Sequence, residues 1–339
     1  MTPYTAPAWL PGGHLQTIYA SLFAPAPRVE YRRMRWDTPD GDFIDLDWGV
    51  NPAAAARRLN LTKSDLGNNE TAPLVALFHG LEGSSRSHYA RALVHGVMAR
   101  GWRAVVVHFR GCSGEANRLA RAYHSGDSAE LDWIMRRLKH MQGACDLFAV
   151  GVSLGGNALL KWLGETGIAA GTIVRKAAAV SAPVDLMAAG AALGRGFGHA
   201  YSYNFLVTMK RKSLAKLARY PALYDAARVR AARTLREFDE CVTAPLHGFA
   251  GVDDYWTRAS SKQWLRHVAV PTLMINARND PFLPAGALPA AWDVSPAIML
   301  EQPETGGHAG FVSGPLPGHL YWLPRRILGF FGVPDTGRR

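Results

Sequence analysis

Residues 147–152 form a short apolar run of strand character and residues 158–163 an apolar run of helix character, and between them stands Gly151-Val152-Ser153-Leu154-Gly155. The order strand, G-x-S-x-G, helix restricts what this chain can fold into more than any other feature. It requires a buried strand that turns sharply into a helix at Ser153. Glycine suits positions 151 and 155 because side chains there would collide across the bend. The serine is expected in a strained backbone conformation that lifts its hydroxyl off the sheet. A helix starting at Leu154 would aim unpaired N–H groups and its positive dipole end at the space beside that hydroxyl. A five-residue pattern with two free positions also arises by chance, so a base, an acid and a second oxyanion donor must come from elsewhere in the chain.

The surrounding segments alternate between strand and helix. Residues 29–36 and 43–48 flank Thr38-Pro39-Asp40-Gly41 and predict an antiparallel hairpin at a sheet edge. Residues 51–72, rich in Ala, Asn and polar groups, read as a surface loop. Residues 74–78 and 103–109 are the continuous apolar runs of strands buried on both faces. Helical periodicity follows each, over 89–100, closed by Gly101, and over 127–140. This is the order of a right-handed, mostly parallel sheet. Runs at 176–181, 270–276 and 297–300 bring the strands to eight, with helices on both faces and a terminal helix at 319–331. Between 184 and 265 no strand pattern intervenes, and 186–195, 205–217, 220–232 and 235–240 look helical. An insertion there reads as a helical cap within a single domain of residues 1–339. Its aromatic and Met residues either form an apolar acyl-binding wall or dock the cap on the core.

Several chemical groups leave the carboxyl ends of these strands. His79-Gly80-Leu81-Glu82-Gly83 follows an early central strand, where the backbone N–H of Leu81 would be a second oxyanion donor beside that of Leu154; the same glycines would also suit a turn without chemistry. Asp280 lies just past a late strand in a turn fixed by Pro281, and Asp185 at another strand end is its rival as catalytic acid. His308, flanked by Gly306-Gly307 and Ala309-Gly310, has the room that a shuttling base needs. Cys112 and Ser113 are nucleophile types but lack a strand-to-helix elbow. His14 reads as a residue capping or packing against the following turn rather than as a contact near the active site or a bound lipid. Ser153, Asp280 and His308 occur in the order nucleophile, acid, base, the chain order of α/β-hydrolases.

Composition narrows the partners. Hydrophobic residues make up 48% and charged residues 19% of the 339, a globular balance that argues against disorder. The net charge of +11 comes mostly from scattered arginine, with no recognisable nucleic-acid module, so no nucleic-acid partner is expected and weak peripheral contact with anionic lipid is the better reading. Cys112, Cys145 and Cys241 have no metal-binding or disulfide spacing, which fits a reducing compartment. No metal or cofactor is expected. The first residues lack the pattern of a signal peptide, and no run approaches the ~18 apolar residues of a transmembrane helix. A cytoplasmic protein, by default monomeric, is the expectation.

Six stretches together carry a resemblance. Residues 9–17 (Trp-Leu-Pro-Gly-Gly-His-Leu-Gln-Thr), His79 to Gly83, Phe109 to Gly114, Gly151 to Asn157, Arg278 to Pro281 and Gly307-His308 resemble the YheT-like branch of the α/β-hydrolase superfamily (the AB-hydrolase 4 type). The likeness runs from about residue 5 to residue 332. That branch includes bacterial esterases, with relatives among yeast medium-chain ester-forming enzymes and mammalian lipid hydrolases. The resemblance implies an esterase acting on small-molecule acyl esters of short to medium chain, with Ser153, Asp280 and His308 as its relay, and makes the His14 segment part of the family's architecture. Some lipid-acting hydrolases carry His-x4-Asp, linked to acyl transfer, whereas no histidine here has aspartate five positions on. An alcohol acyltransferase using the same acyl-enzyme stays open as an alternative, as does, more remotely, a non-catalytic lipid-binding protein.

Overall fold

The computed structural model describes residues 4–50 and 71–332. The loop read at 51–72 lies, up to residue 70, outside the described residues, as do the first three residues of the chain. The described residues build one sheet of eight strands: β1 (Tyr31–Asp37), β2 (Phe43–Gly49), β3 (Leu74–Phe78), β4 (Arg103–Val107), β5 (Leu147–Val152), β6 (Lys176–Val180), β7 (Thr272–Ile275) and β8 (Ile298–Glu301). Their spatial order is β1-β2-β4-β3-β5-β6-β7-β8. The β1-β2 hairpin pairs antiparallel and joins β4 antiparallel, and all other neighbours are parallel. Strands β3 and β5 are buried along their whole length, as their unbroken apolar sequences require when both faces are covered, and so is β6, which opens on Lys176.

The covering helices are α1 (Gly13–Leu22), α2 (His88–Ala99), α3 (Ser128–Gln142), α4 (Leu154–Thr166) and the terminal helix, Trp322–Gly332. Two apolar layers result. Leu131, Ile134 and Leu138 of α3 pack with Leu159, Trp162 and Leu163 of α4 against one face, and Leu93 and Val97 of α2 pack with Ile327 and Phe331 against the other. The chain winds from β3 out to β4 and from β5 in the opposite direction, so the winding reverses between the neighbours β3 and β5. Crevices for ligands form at the carboxyl ends of strands at such a point.

Between β6 and β7 the chain leaves the sheet for a helical segment with its own small apolar clusters. It contains α5 (Leu186–Leu193), α6 (Gly198–Leu217), α7 (Ala226–Ala231), a π-helical turn at Asp239–Thr243 and α8 (Val252–Ala259). Within this segment the main departures from the sequence reading are two helix starts and one additional helix. Helix α6 starts at Gly198 rather than 205. The helix read over 220–232 shrinks to six residues, because the Asp225 carboxylate accepts from the N–H groups of Ala227 and Arg228 and starts the helix there. Helix α8 was not expected; its buried Val252, Tyr255, Trp256 and Ala259 fall at i, i+3, i+4 and i+7. No helix of the described residues is long and apolar enough to cross a membrane.

Candidate active site

Ser153 joins the end of β5 to the start of α4 with φ 54° and ψ −122°, a conformation a side-chain-bearing residue adopts only when its surroundings enforce it. The enforcing contacts are tight. A Cβ at Gly151 would lie 2.3 Å from the Gly155 carbonyl oxygen, and one at Gly155 would lie 2.4 Å from that of Phe78. The two glycines therefore let α4 close down on both its own strand and β3. The Ser153 N–H donates to the Val180 carbonyl at 2.8 Å, which ties the bend to β6.

His308 stands in the loop after β8, and its Nε2 is 2.8 Å from Ser153 Oγ. Its Nδ1 lies 2.9 Å and 3.1 Å from the two carboxylate oxygens of Asp280, which follows β7. The Asp280 side chain is wholly buried and that of His308 nearly so. Nδ1–H donating to Asp280 leaves the Nε2 lone pair to accept from the serine hydroxyl. Phe282 stacks on the imidazole with ring centroids 3.9 Å apart and planes 15° apart, while its N–H donates to Asp280 Oδ1 at 2.8 Å. The ring and the carboxylate thus share one support.

The loop after β3 spends its backbone donors in a revealing way. The N–H of Gly80 donates to Tyr89 Oη at 2.8 Å, that of Glu82 to Tyr123 Oη at 3.0 Å, that of Gly83 to the Gly80 carbonyl at 2.9 Å and that of Ser84 to Ser87 Oγ at 3.1 Å. Among the described residues the N–H of Leu81 has no such partner, nor has that of Leu154 in the first turn of α4. Both residues line the same cavity as Ser153. Gly80 stands close by, since a Cβ there would be 3.0 Å from Ser153 Cβ. His79 holds the loop from inside: Nδ1–H donates to the Gly80 carbonyl at 2.7 Å and Nε2 accepts from the Phe109 N–H at 3.1 Å. Complete burial pushes its pKa down to about 3, which keeps it neutral.

Of the other candidates, Cys112 lines the same cavity as Ser153, whereas Asp185 is engaged on its own helix. The Asp185 carboxylate caps α5 by accepting from the Ala188 N–H at 3.0 Å and pairs with Lys262 at 3.1 Å, so it faces its own helix. Burial pushes the Cys112 thiol up to about 12, far from a thiolate. His14 caps no helix end; it reaches across to α6 instead. Its Nδ1 is 3.2 Å from Tyr201 Oη and its ring stacks on Tyr201, which joins α1 to α6.

Two site residues escaped the sequence reading. Gln16 of α1 is buried, and its Oε1 accepts from Asn279 Nδ2 at 3.0 Å and from the Gly306 N–H at 2.8 Å, bridging the loops that carry Asp280 and His308. Thr17 Oγ1 accepts from the His308 N–H at 2.8 Å. Both fall in the stretch 9–17 that carries the family resemblance, but nothing in that stretch names their partners.

A cavity of about 750 Å³ opens on Ser153. The core supplies Leu81 and Leu154 to its wall, and the helical segment supplies Leu186, Leu193, Phe205, Met209, Phe238, Val242 and Trp256.

The α/β hydrolase fold family matches residues 73–315. YheT of Escherichia coli (strain K12) is 39% identical over 316 residues, covering 93% of this chain and 88% of YheT. Phospholipase ABHD3 of Mus musculus is 30% identical over 324 residues, 95% of this chain and 76% of that protein. Among solved structures, the Pyrococcus furiosus esterase Pf2001 shares the fold with a TM-score of 0.53 at 15% identity, covering 91% of this chain and 98% of that one. With most of its length matched by family and relatives and a sheet of this topology, the chain belongs to the α/β-hydrolase family, in its YheT-like branch.

Proposed function

We propose that this protein is a serine carboxylic ester hydrolase acting on acyl esters of short to medium chain, and that residues 184–265 serve as a cap over its acyl pocket. The observation that carries the reading is the unbroken line from Asp280 through His308 to Ser153, with hydrogen-bond distances at both links. His308 takes the hydroxyl proton as Ser153 Oγ attacks the ester carbonyl carbon. Asp280 holds the imidazole in the required tautomer and stabilises its charged form. The carbonyl oxygen becomes an oxyanion, and the N–H groups of Leu81 and Leu154 are the donors proposed to receive it. Collapse expels the alcohol, protonated by His308, and leaves an acyl-enzyme. Water, deprotonated by the same imidazole, attacks the acyl carbon; the bond to Ser153 Oγ breaks, the carboxylic acid leaves, and His308 returns the proton to Oγ.

The cavity supports the substrate class. Leu186, Ala189 and Leu193 of α5, with Phe205 and Met209 of α6 and Val242 of the π-helical turn, give it an apolar wall suited to an acyl chain, while Arg211, Lys212, Lys216 and Asp239 make the rest of that side polar. A relative named as a phospholipase is consistent with esters of lipid type. The test is a p-nitrophenyl ester series from acetate to palmitate, assayed with wild-type protein and Ser153→Ala. Turnover with an optimum at short to medium chains, lost in Ser153→Ala, is expected. A folded wild-type protein that turns over none of the series would refute the assignment. Added alcohol measures how far an acyl acceptor other than water is used.

A further inference from the structure

Glu82 directly follows the proposed oxyanion donor Leu81 and has φ 54°, in the left-handed region that side-chain-bearing residues rarely adopt. Two groups hold it there. Tyr123 Oη accepts from the Glu82 N–H at 3.0 Å and donates to Glu82 Oε1 at 2.9 Å. Tyr123 is itself fixed by stacking on Phe109, with centroids 5.3 Å and planes 8° apart. The second group comes from the cap: Lys212 of α6 places its ammonium 2.8 Å from Glu82 Oε2. The same ammonium is 3.7 Å from the thiol of Cys112, in the loop after β4.

We infer that Lys212, acting through Glu82, is a positioning residue for the oxyanion hole, so that docking the cap and presenting the Leu81 N–H to the substrate are one event. This rests on the reading of Ser153 as nucleophile and Leu81 as donor. The Glu82 side chain is only 10% exposed. Without Lys212 its carboxylate keeps Tyr123 but loses its cationic partner, and a poorly solvated charge left in that state is costly. Relaxing φ toward ordinary values relieves both strain and desolvation, and it turns the Leu81–Glu82 peptide, whose N–H is held by Tyr123, so that Leu81 and the N–H one peptide back are displaced. Lys216, one turn further along α6, provides the contrast. Its ammonium donates to the carbonyls of Leu119, Ala120 and Arg121 at 3.2, 2.8 and 2.8 Å, which secures the cap without touching the loop after β3. Cap attachment therefore has its own device, and the contact to Glu82 is left with a different task.

The experiment uses the full chain and the variants Lys212→Met, Lys212→Arg, Glu82→Gln and the Lys212→Met/Glu82→Gln double. Glu82→Gln keeps the shape and the acceptor for Tyr123, so it reports even where Lys212→Met folds poorly. The probes are p-nitrophenyl butyrate and a butyl trifluoromethyl ketone, whose serine hemiketal carries an oxyanion in place of the transition state. Losing one oxyanion donor outright costs about 100- to 1,000-fold, so displacing it should lower kcat by about 10- to 100-fold in each single variant, with KM moving less than about threefold. Ketone affinity should fall by the same factor as kcat/KM, Lys212→Arg should recover most of the loss, and the double variant should be no worse than the weaker single. Lowered melting temperature with wild-type kcat and ketone affinity would overturn the inference, making the pair a mere cap clamp. So would losses confined to KM, or single losses that multiply in the double variant. Turnover surviving in Ser153→Ala would instead overturn the serine reading beneath it, and that control does not involve Lys212.

Discussion

Gln16 is where a change far from the reacting atoms should cost both stability and rate. Gln16→Met preserves length and apolar volume while deleting the amide. Three hydrogen bonds go with it: to the Leu10 carbonyl at 2.9 Å, from Asn279 Nδ2 and from the Gly306 N–H. Gln16 is 1% exposed, so water has no ready access to the groups left behind. Leaving a buried donor or acceptor unsatisfied costs about 1–3 kcal/mol, and the low end for each gives a loss of about 3 kcal/mol. A melting entropy of about 2.1 cal/mol/K per residue over 339 residues is about 0.7 kcal/mol/K, so Tm should drop by about 4 °C. The two loops bridged by Gln16 carry Asp280 and His308, and misplacement on the order of an ångström costs up to about 100-fold, so kcat should fall by about 10- to 100-fold. Calorimetry and p-nitrophenyl butyrate kinetics on the same preparation measure both. A variant melting within 1 °C of wild type with unchanged kcat would refute the role given to Gln16.

Asp280→Asn should lower kcat by about 1,000- to 10,000-fold, because the amide no longer holds the imidazole with Nε2 free to accept, whereas Asp185→Asn should leave kcat near wild type; the reverse pattern would exchange the acid. His79 links acid stability to the loop after β3. Its folded pKa of about 3 lies below the unfolded value, so the unfolded chain alone binds this proton as pH falls from about 6.5 toward 3, and wild type should lose about 1.4 kcal/mol per pH unit more than His79→Asn in urea titrations. Equal slopes would show that His79 is not buried neutral. Val242→Trp, on the cavity wall, should shift the ester optimum toward shorter chains with acetate turnover retained, and an unshifted optimum would place the acyl chain elsewhere.

Much of this was legible in the chain because the constraints are local. The stretch from Leu147 to Asn157 specifies strand, bend and helix within a dozen residues, and its glycines meet backbone atoms at the distances such a bend implies. Strand ends marked by buried runs put His79, Asp280 and His308 at one edge of the sheet, and the parallel order follows from alternation. What stayed hidden was non-local or short. Gln16 and Thr17 act across some 290 residues of sequence, and nothing in α1 names their partners. His14 looked like a residue packing against the following turn because Tyr201 lies 187 positions away. Helix α8 escaped because eight residues including Asp253, Asp254 and Arg258 hide a stripe that only burial of Tyr255 and Trp256 makes apolar. The pairing of Lys212 with Glu82 depends on how the helical segment between β6 and β7 packs, which no periodicity in α6 encodes.

The central claim is that Ser153 is an activated nucleophile, and intact-protein mass spectrometry after exposure to a fluorophosphonate tests it most directly. The account predicts a single phosphonyl adduct, mapped by proteolysis to Ser153, formed quickly by wild type, slowly by Asp280→Asn and not at all by Ser153→Ala. A folded wild-type protein that stays unlabelled, or one labelled at another residue with Ser153 unmodified, would contradict it.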